Sequence, residues 1–528
     1  MHGAYTVGEV RAAEDAAMAA LPAGALMQRA ANALSVQCAG LLDRVYGARV
    51  ALLVGSGNNG GDALFAGARL AERGARVTAL LLDPERAHAD GLVAFDRAGG
   101  RSVGADPSVL RGADLVIDGM LGIGGRGGLR GRAVDLAEAA ADAFTVAVDV
   151  PSGVDSDTGT ADDTAVHADV TVTFGALKVG TVVGRGAQLC GELRLVDLGL
   201  ALPAPSVRVL EAPDVFAIVP EPDASGDKYT RGVVGVVAGS AQYSGAGVLT
   251  TGSALVGGAG MVRYLGLAPD AVRARYPEVV VHDDARPHEV RVQAWVVGPG
   301  MGTDDAAMAL LADVLRTDVP VIVDADAITL VARAPGLVRG RTVPTVLTPH
   351  DREFARLAGQ PGADRLGACR RAAADLGATV LLKGNATVVA DPDGTAYVNP
   401  TGTPWLGTAG SGDVLSGLIG SLLASGLPAP LAAAAGAYLH GVAGQRAAAD
   451  GPPTAVDVLN SLRPVLATQA LAIGEQSKGS GVHGYGGRGP GGIAWRLAGR
   501  QRRPRPAARL GPAPARTPPR AAAPRDRV

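Results

Sequence analysis

The stretch that decides the fold is Ala51–Leu70, ALLVGSGNNGGDALFAGARL. An apolar run ends in glycines and passes into a helix-like segment. Gly55, Gly57 and Gly60 satisfy the G-x-G-x-x-G spacing of a dinucleotide-binding turn. In such a turn glycines let backbone N–H groups approach an anion, and the following helix points its positive end at it. The next apolar run, RVTALLLD, ends at Asp83, where a ribose-binding acid would sit. The spacing alone leaves a nucleotide site and an ordinary strand-to-helix turn both open. A Walker-type loop is excluded, since no Gly-Lys-Ser/Thr follows. The surplus residues point away from a redox coenzyme. Asn58, Asn59 and Asp62 add two amides and a carboxylate, whose oxygens suit a hard cation or a hydroxylated substrate.

Around this turn, residues 8–46 read as helical, with apolar positions at three- and four-residue spacing. Strand-like runs follow at ARVALLVG, RVTALLLD, ADLVIDGM, FTVAVDV and DVTVTFG, the first four separated by helix-like segments. Their continuous apolar character predicts a parallel sheet covered by helices on both faces. A proline-rich, aperiodic stretch from about Leu200 to Asp223 reads as a linker. A second alternating region then runs from GVVGVVAGS to helices around GDVLSGLIGSLLASG and PLAAAAGAYLHGVAGQRAAA.

The 528 residues suffice for two or three domains. With 47% hydrophobic residues and 75 glycines, large Ala/Val/Leu cores and tight turns are expected; aromatics at 3% argue against stacking platforms for nucleic acid. Three scattered cysteines support neither a disulfide framework nor a zinc site, no apolar stretch is long enough to span a bilayer, and no secretory signal opens the chain. A cytoplasmic location is the expectation, with no nucleic-acid or membrane partner. From Gln476 onward one Lys and 11 Arg face one Asp, a net of +11 on a chain whose total is −2. This Gly/Pro/Arg-rich tail is expected to be disordered.

Two further segments extend the first loop. LVIDGMLGIGGRGGLRG ends a strand at Asp118 and enters a second glycine loop; VAVDVPSGVDSDTG ends a strand at Asp149, followed by Ser152. In a parallel sheet these strand ends share one edge, where ligands bind. Asp118 and Asp149 could equally cap helices, the commoner task of such residues. The three motifs together resemble the N-terminal domain of NAD(P)H-hydrate epimerases, a Rossmann-like fold that interconverts the R and S forms of hydrated NADH or NADPH. The resemblance implies that a damaged pyridine nucleotide is the substrate and not a hydride carrier. It implies substrate contacts at Asn58, Asn59, Gly60, Gly61 and Asp62 and at Gly122, Ile123, Gly124, Gly125, Arg126, Gly127 and Gly128. It also implies Asp149 as general base at the hydrated ring, and a potassium ion on Asn59, Asp118 and Ser152.

In the second region Gly410-Ser411-Gly412-Asp413 precedes a long apolar helix. Small residues there leave N–H groups bare for a phosphoryl group, and Asp413 stands where it can take a proton from an attacking hydroxyl. An Asp N-cap is the plainer alternative. This loop resembles the ribokinase superfamily, whose divalent-metal motif Asn-x-x-Glu is here His350-x-x-Glu353. With AGSAQYSGAG, VGPGMG and LKGNATVV, it looks like the ADP-dependent NAD(P)H-hydrate dehydratases. That resemblance implies nucleotide contacts at Lys383, Gly384, Asn385, Ala386, Thr387 and Gly412, and substrate contacts at Ala246, Gly300, His350 and Asp413. Mg2+ and ADP are the implied cofactors, AMP and phosphate the products, and a homo-oligomer the implied assembly. His282, His288 and His440 read as structural.

The expected class is therefore α/β. A Rossmann-like doubly wound sheet (residues 1–205) precedes a ribokinase-like α/β domain (222–472) and a disordered basic tail (473–528). The rival reading is a small-molecule kinase fused to a nucleotide-binding domain without epimerase activity.

Overall fold

The computed structural model describes residues 1–125, 127–220, 226–478 and 493–496, with backbone alone for 468–478 and 493–496. The class is α/β, as expected. Two sheets organise the chain, and in both the order of strands reverses once, which opens a crevice at the carboxyl ends.

The first sheet runs Glu192–Val196, Val170–Phe174, Thr145–Val148, Leu115–Gly119, Arg49–Val54, Arg76–Leu81, Arg101–Gly104, all parallel. Its central strands are buried on both faces, which explains their unbroken apolar character. The reversal falls between Arg49–Val54 and Leu115–Gly119, the strands that lead into the two glycine loops. A Cβ on Gly55 would fall 1.9 Å from the Met120 carbonyl oxygen, and one on Gly60 2.2 Å from that of Gly55. Gly55 and Gly60 of the fingerprint are thus required by backbone packing alone, whereas Gly57 has open space around it. Asp83 lies in a turn and accepts from the Glu85 N–H.

The second sheet places Val280–Val281, Met261–Tyr264, Val233–Val237, Ala294–Val297, Val321–Val323, Thr345–Leu347 and Thr379–Leu382 in parallel. The antiparallel pair Thr387–Ala390 and Ala396–Asn399 extends it. Helix Ser411–Ala424, buried along nearly its whole length, packs on helix Ser244–Val256. Their backbones close at Gly417, where a Cβ would fall 2.2 Å from the Thr250 carbonyl oxygen.

The expected linker is ordered over much of its length. Val207–Val209 is a strand and Ala212–Ile218 a helix. Val207–Val209 pairs with Ala396–Asn399 on one side and with His2–Tyr5 on the other, and His2–Tyr5 pairs in turn with Leu177–Lys178. The second sheet therefore continues, strand by strand, into the first half of the chain. Three-residue strands leave too little periodicity to be read from sequence. The last helix runs to Lys478, past the expected start of the tail. Ile493–Arg496 forms a strand antiparallel to Glu192–Val196, and residues 479–492 and 497–528 lie outside the described residues. No helix among the described residues is long and apolar enough to cross a membrane.

Candidate active sites

In the first crevice hydrogen bonds join Asn59, Asp118 and Ser152 by way of Leu121, and Asp149 follows the neighbouring strand Thr145–Val148. Asp118, fully buried, accepts from the Ser152 N–H at 2.8 Å and the Ser152 hydroxyl at 2.6 Å. Ser152 Oγ accepts from the Leu121 N–H at 2.8 Å, and Asn59 Nδ2 donates to the Leu121 carbonyl at 2.9 Å. Burial pushes the Asp118 carboxyl up to about 6, against the bonds from Ser152 and Met120 that favour its charge. Asn58 is the exposed first residue of helix Asn58–Glu72. Gly122 lies against the Asn59 side chain, and Ile123 packs against the apolar group of Tyr5, Val10 and Ala176. Gly124 faces the Arg11 guanidinium, and Gly128 lies against the Asp162 carboxylate. Arg126 lies outside the described residues.

Asp149 sits at φ 66°, a left-handed conformation that costs energy for any residue with a side chain. Its Oδ1 accepts from Lys178 Nζ, from Thr173 Oγ1 at 3.1 Å and from the Phe174 N–H at 3.2 Å. Lys178 is buried and also donates to the Phe174 carbonyl at 2.8 Å. Sequence reasoning missed it. A lone lysine in the apolar run FGALKVG was the available signal. Asp62 Oδ1 is buried without a hydrogen-bond partner among the described residues, and its carboxyl lies well above the ordinary range through burial and then repulsion from Asp149 and Glu14. Glu14 is raised too, chiefly by burial.

The second crevice is built the same way. Gly298-Pro299-Gly300 follows one strand, Asp324 another, His350 a third and Lys383 a fourth. A Cβ on Gly300 would fall 2.9 Å from that of Ala246, so these two expected substrate contacts touch. Lys383 Nζ donates to Asp324 Oδ1 at 2.8 Å and stands 3.8 Å from Glu353 Oε2; Ser416 Oγ donates to Asp324 Oδ2 at 2.7 Å. A Cβ on Gly412 would lie 3.4 Å from Lys383 Nζ, so the two expected nucleotide contacts also meet. Thr387 Oγ1 donates to the Gly384 carbonyl at 3.0 Å and closes the Lys383–Thr387 loop; Asn385 and Ala386 lie within it.

Asp413, in the first turn of helix Ser411–Ala424, is pushed up to about 7 by burial and then by Asp324. His350 caps helix Asp351–Ala358. Its Nδ1 accepts from the Arg352 N–H at 3.0 Å while Glu353 accepts from the His350 N–H at 2.9 Å. His-x-x-Glu is thus also a capping box. Asp324 was not singled out from sequence, although it ends a strand exactly as Asp118 and Asp149 do. The next residue, Ala325, sits at φ 50°.

Two parallel α/β units, each with ionisable side chains converging on a strand-order reversal, define a two-centre enzyme of small molecules. Comparison with known proteins agrees. Residues 234–462 match the family described as NAD(P)H-hydrate dehydratase, and residues 23–180 that described as YjeF-related protein N-terminus. The bifunctional NAD(P)H-hydrate repair enzyme Nnr of Mycobacterium leprae is 51% identical over 85% of this chain and 95% of its own. Its Mycobacterium tuberculosis counterpart is 52% identical over 81% and 91%. An ADP/ATP-dependent NAD(P)H-hydrate dehydratase from Bacillus subtilis, crystallised with ATP and Mg2+, is 29% identical over 50% of this chain and all of its own, with a TM-score of 0.45. The chain belongs to the family of bifunctional NAD(P)H-hydrate repair enzymes.

Proposed function

We propose that residues 1–205 epimerise (R)- and (S)-NAD(P)HX and that residues 222–472 dehydrate the S form to NAD(P)H, converting ADP to AMP and phosphate. The observation that carries this reading concerns backbone strain. Among the described residues, the only non-glycine positions at positive φ are Asp149 and Ala325, one in each crevice. Strain of this kind persists where the surrounding structure holds a functional geometry in place.

In the first centre, Asn58–Asp62 and Gly122–Gly128 hold the phosphates and ribose. Asp149, oriented by Lys178, Thr173 and the Phe174 N–H, takes the proton of the ring hydroxyl as the bond from the hydroxylated carbon to the ring nitrogen breaks to leave an aldehyde, and returns the proton when the nitrogen closes on the other face. Asn59, Asp118 and Ser152 fit a potassium ion, since they offer hard oxygens around a buried carboxylate that has no counter-charge among the described residues. Such an ion supplies positive charge beside the substrate phosphates.

In the second centre, Asp413 takes the proton of the ring hydroxyl, whose oxygen attacks the terminal phosphorus of ADP, and AMP leaves. The ring nitrogen lone pair then expels phosphate, and loss of a proton from the neighbouring ring carbon restores the dihydropyridine. Lys383 and the Gly412 N–H face the transferring group. No group of three or more acidic, His or Cys side chains among the described residues is spaced to hold a metal by itself, so Mg2+ would arrive on the phosphates of ADP and would supply positive charge to the phosphoryl oxygens. A cytoplasmic homo-oligomer belongs to the same proposal.

The test supplies purified protein with racemic NADHX and ADP and follows the NADH absorbance. Both epimers clear with the parent chain. With Asp149→Asn only half clears quickly, and with Asp413→Asn neither does. Rapid clearance of both by either variant refutes the assignment.

A further inference from the structure

The Lys383–Thr387 loop has two sides. On one, Lys383 Nζ and Gly412 meet at the phosphoryl-transfer centre. On the other, Gly384, Asn385 and Ala386 line a cleft of about 350 Å³, within the range of small-molecule sites. The opposite wall of that cleft is formed by the N-terminal half of the chain. Gly159–Ala161 contributes there, with Gly184, Arg185 and Gln188 of helix Gly184–Leu189.

The two walls are held in register. The strand Val207–Val209 joins them, Arg370 Nη2 donates to the Ser206 carbonyl at 2.9 Å, and Arg208 donates to the Tyr397 hydroxyl at 3.2 Å. Across the cleft, a Cβ on Gly184 would lie 3.7 Å from the Ala363 carbonyl oxygen. Arg365 fixes the loop from beside it, donating to the Lys383 carbonyl at 2.8 Å and pairing with Asp351 at 2.8 Å.

The chemistry of the cleft is that of a base and ribose more than of a polyphosphate. Carboxamides stand on both walls, Gln188 on one and Asn385 on the other. A carboxamide matches the adjacent donor and acceptor on the edge of adenine. The Asn385 amide oxygen is itself buried, with no hydrogen-bond partner among the described residues. Among the described residues Arg185 pairs with Asp163 alone, at 2.7 Å with side chains 44% and 94% exposed, a pair that a ligand displaces cheaply.

We propose that the nucleotide of the C-terminal centre is gripped by both halves of the chain, its adenosine lying in this cleft against Gln188, Arg185 and Asn385. The proposal rests on the assignment of Lys383–Thr387 as the nucleotide loop and adds positioning and specificity residues from the epimerase half. It makes the fusion of the two halves part of nucleotide recognition.

The experiment titrates the full chain by calorimetry with ADP and, separately, with inorganic pyrophosphate. The double variant Arg185→Ala/Gln188→Ala is expected to weaken ADP about tenfold, the loss of one or two hydrogen bonds, and to leave pyrophosphate affinity as in the parent. Lys383→Ala is expected to weaken both probes. Unchanged ADP affinity in the double variant, with Lys383→Ala still impaired, overturns the two-walled site and leaves the loop assignment standing. Equal losses of ADP and pyrophosphate in the double variant overturn the placement of adenosine. Full ADP affinity in Lys383→Ala overturns the loop assignment itself.

Discussion

The two crevices pair one lysine each with an aspartate at a strand end, and the proposed base stands differently to that pair. In the first, the buried Lys178 pairs with Asp149, and Asp62 is the carboxyl left unpaired and raised. In the second, Lys383 pairs with Asp324, and Asp413 is the one left unpaired and raised to about 7. The same inventory of a lysine, a strand-end aspartate and a second acid therefore gives each centre a salt-bridged carboxylate and an acid raised by burial, and the proposed base is the paired acid in the first and the raised one in the second. Which acid the ammonium touches is set by the fold, and no motif records it.

The largest effect that separates the centres is on rate. Asp413→Asn is expected to cut dehydration roughly 10²–10⁴-fold and to leave epimer exchange, followed by chiral separation of NADHX, at the parent rate. Asp149→Asn is expected to do the reverse. Equal effects of either variant on both reactions would break the comparison.

Next comes stability. Lys178→Met leaves the buried Asp149 charge without its cation and is expected to cost about 3–5 kcal/mol in urea denaturation. Lys383→Met is expected to cost less, because Lys383 is 20% exposed and Ser416 still donates to Asp324.

The acid dependence follows from the unpaired base. Asp413 accepts a proton only when ionised, so kcat/KM for dehydration should fall about tenfold per pH unit below about 7. A profile flat down to pH 5 would show that another group takes the proton.

A smaller effect concerns the first centre. The folded-state pKa of Asp118 is raised to about 6, so its burial weakens the fold progressively as pH rises from the unfolded value through 6. Added K+ should therefore raise the melting temperature above pH 6 and have little effect at pH 4. Asp118→Asn should abolish the response.

The smallest effect is strain itself. Ala325→Gly relieves a positive φ but loosens the unfolded chain, so the net gain should stay within about 1 kcal/mol while dehydration slows. A loss larger than the roughly 1 kcal/mol that glycine costs through the unfolded chain would mean that Ala325 is not strained.

Much of both centres was legible before any coordinates. Asp118 and Asp149 declare themselves because a strand end followed by small residues is a local pattern, Gly412 and Asp413 because small residues opening an apolar helix are another, and the Gly55 and Gly60 contacts explain why the first pattern needs glycine. Lys178 and Asp324 were not singled out. Their partners lie 29 and 59 residues away in the chain, and a pairing over that distance leaves no periodic trace. The strand Val207–Val209 was hidden for the opposite reason, since three residues are too few to show a period. His350 was expected to touch substrate; its backbone-capping bonds became visible only once helix Asp351–Ala358 was in place.

The sequence by itself determined the two alternating α/β runs, the loops at their strand ends and the acids those loops present. These follow from burial patterns and from where a backbone can turn without a side chain. Only the tertiary structure decided which acid each lysine neutralises, how far burial lifts Asp413 and Asp118, and that helix Gly184–Leu189 faces the Gly384–Ala386 loop. Charge, desolvation and proximity depend on distances in space, and the folded arrangement of distant segments sets those.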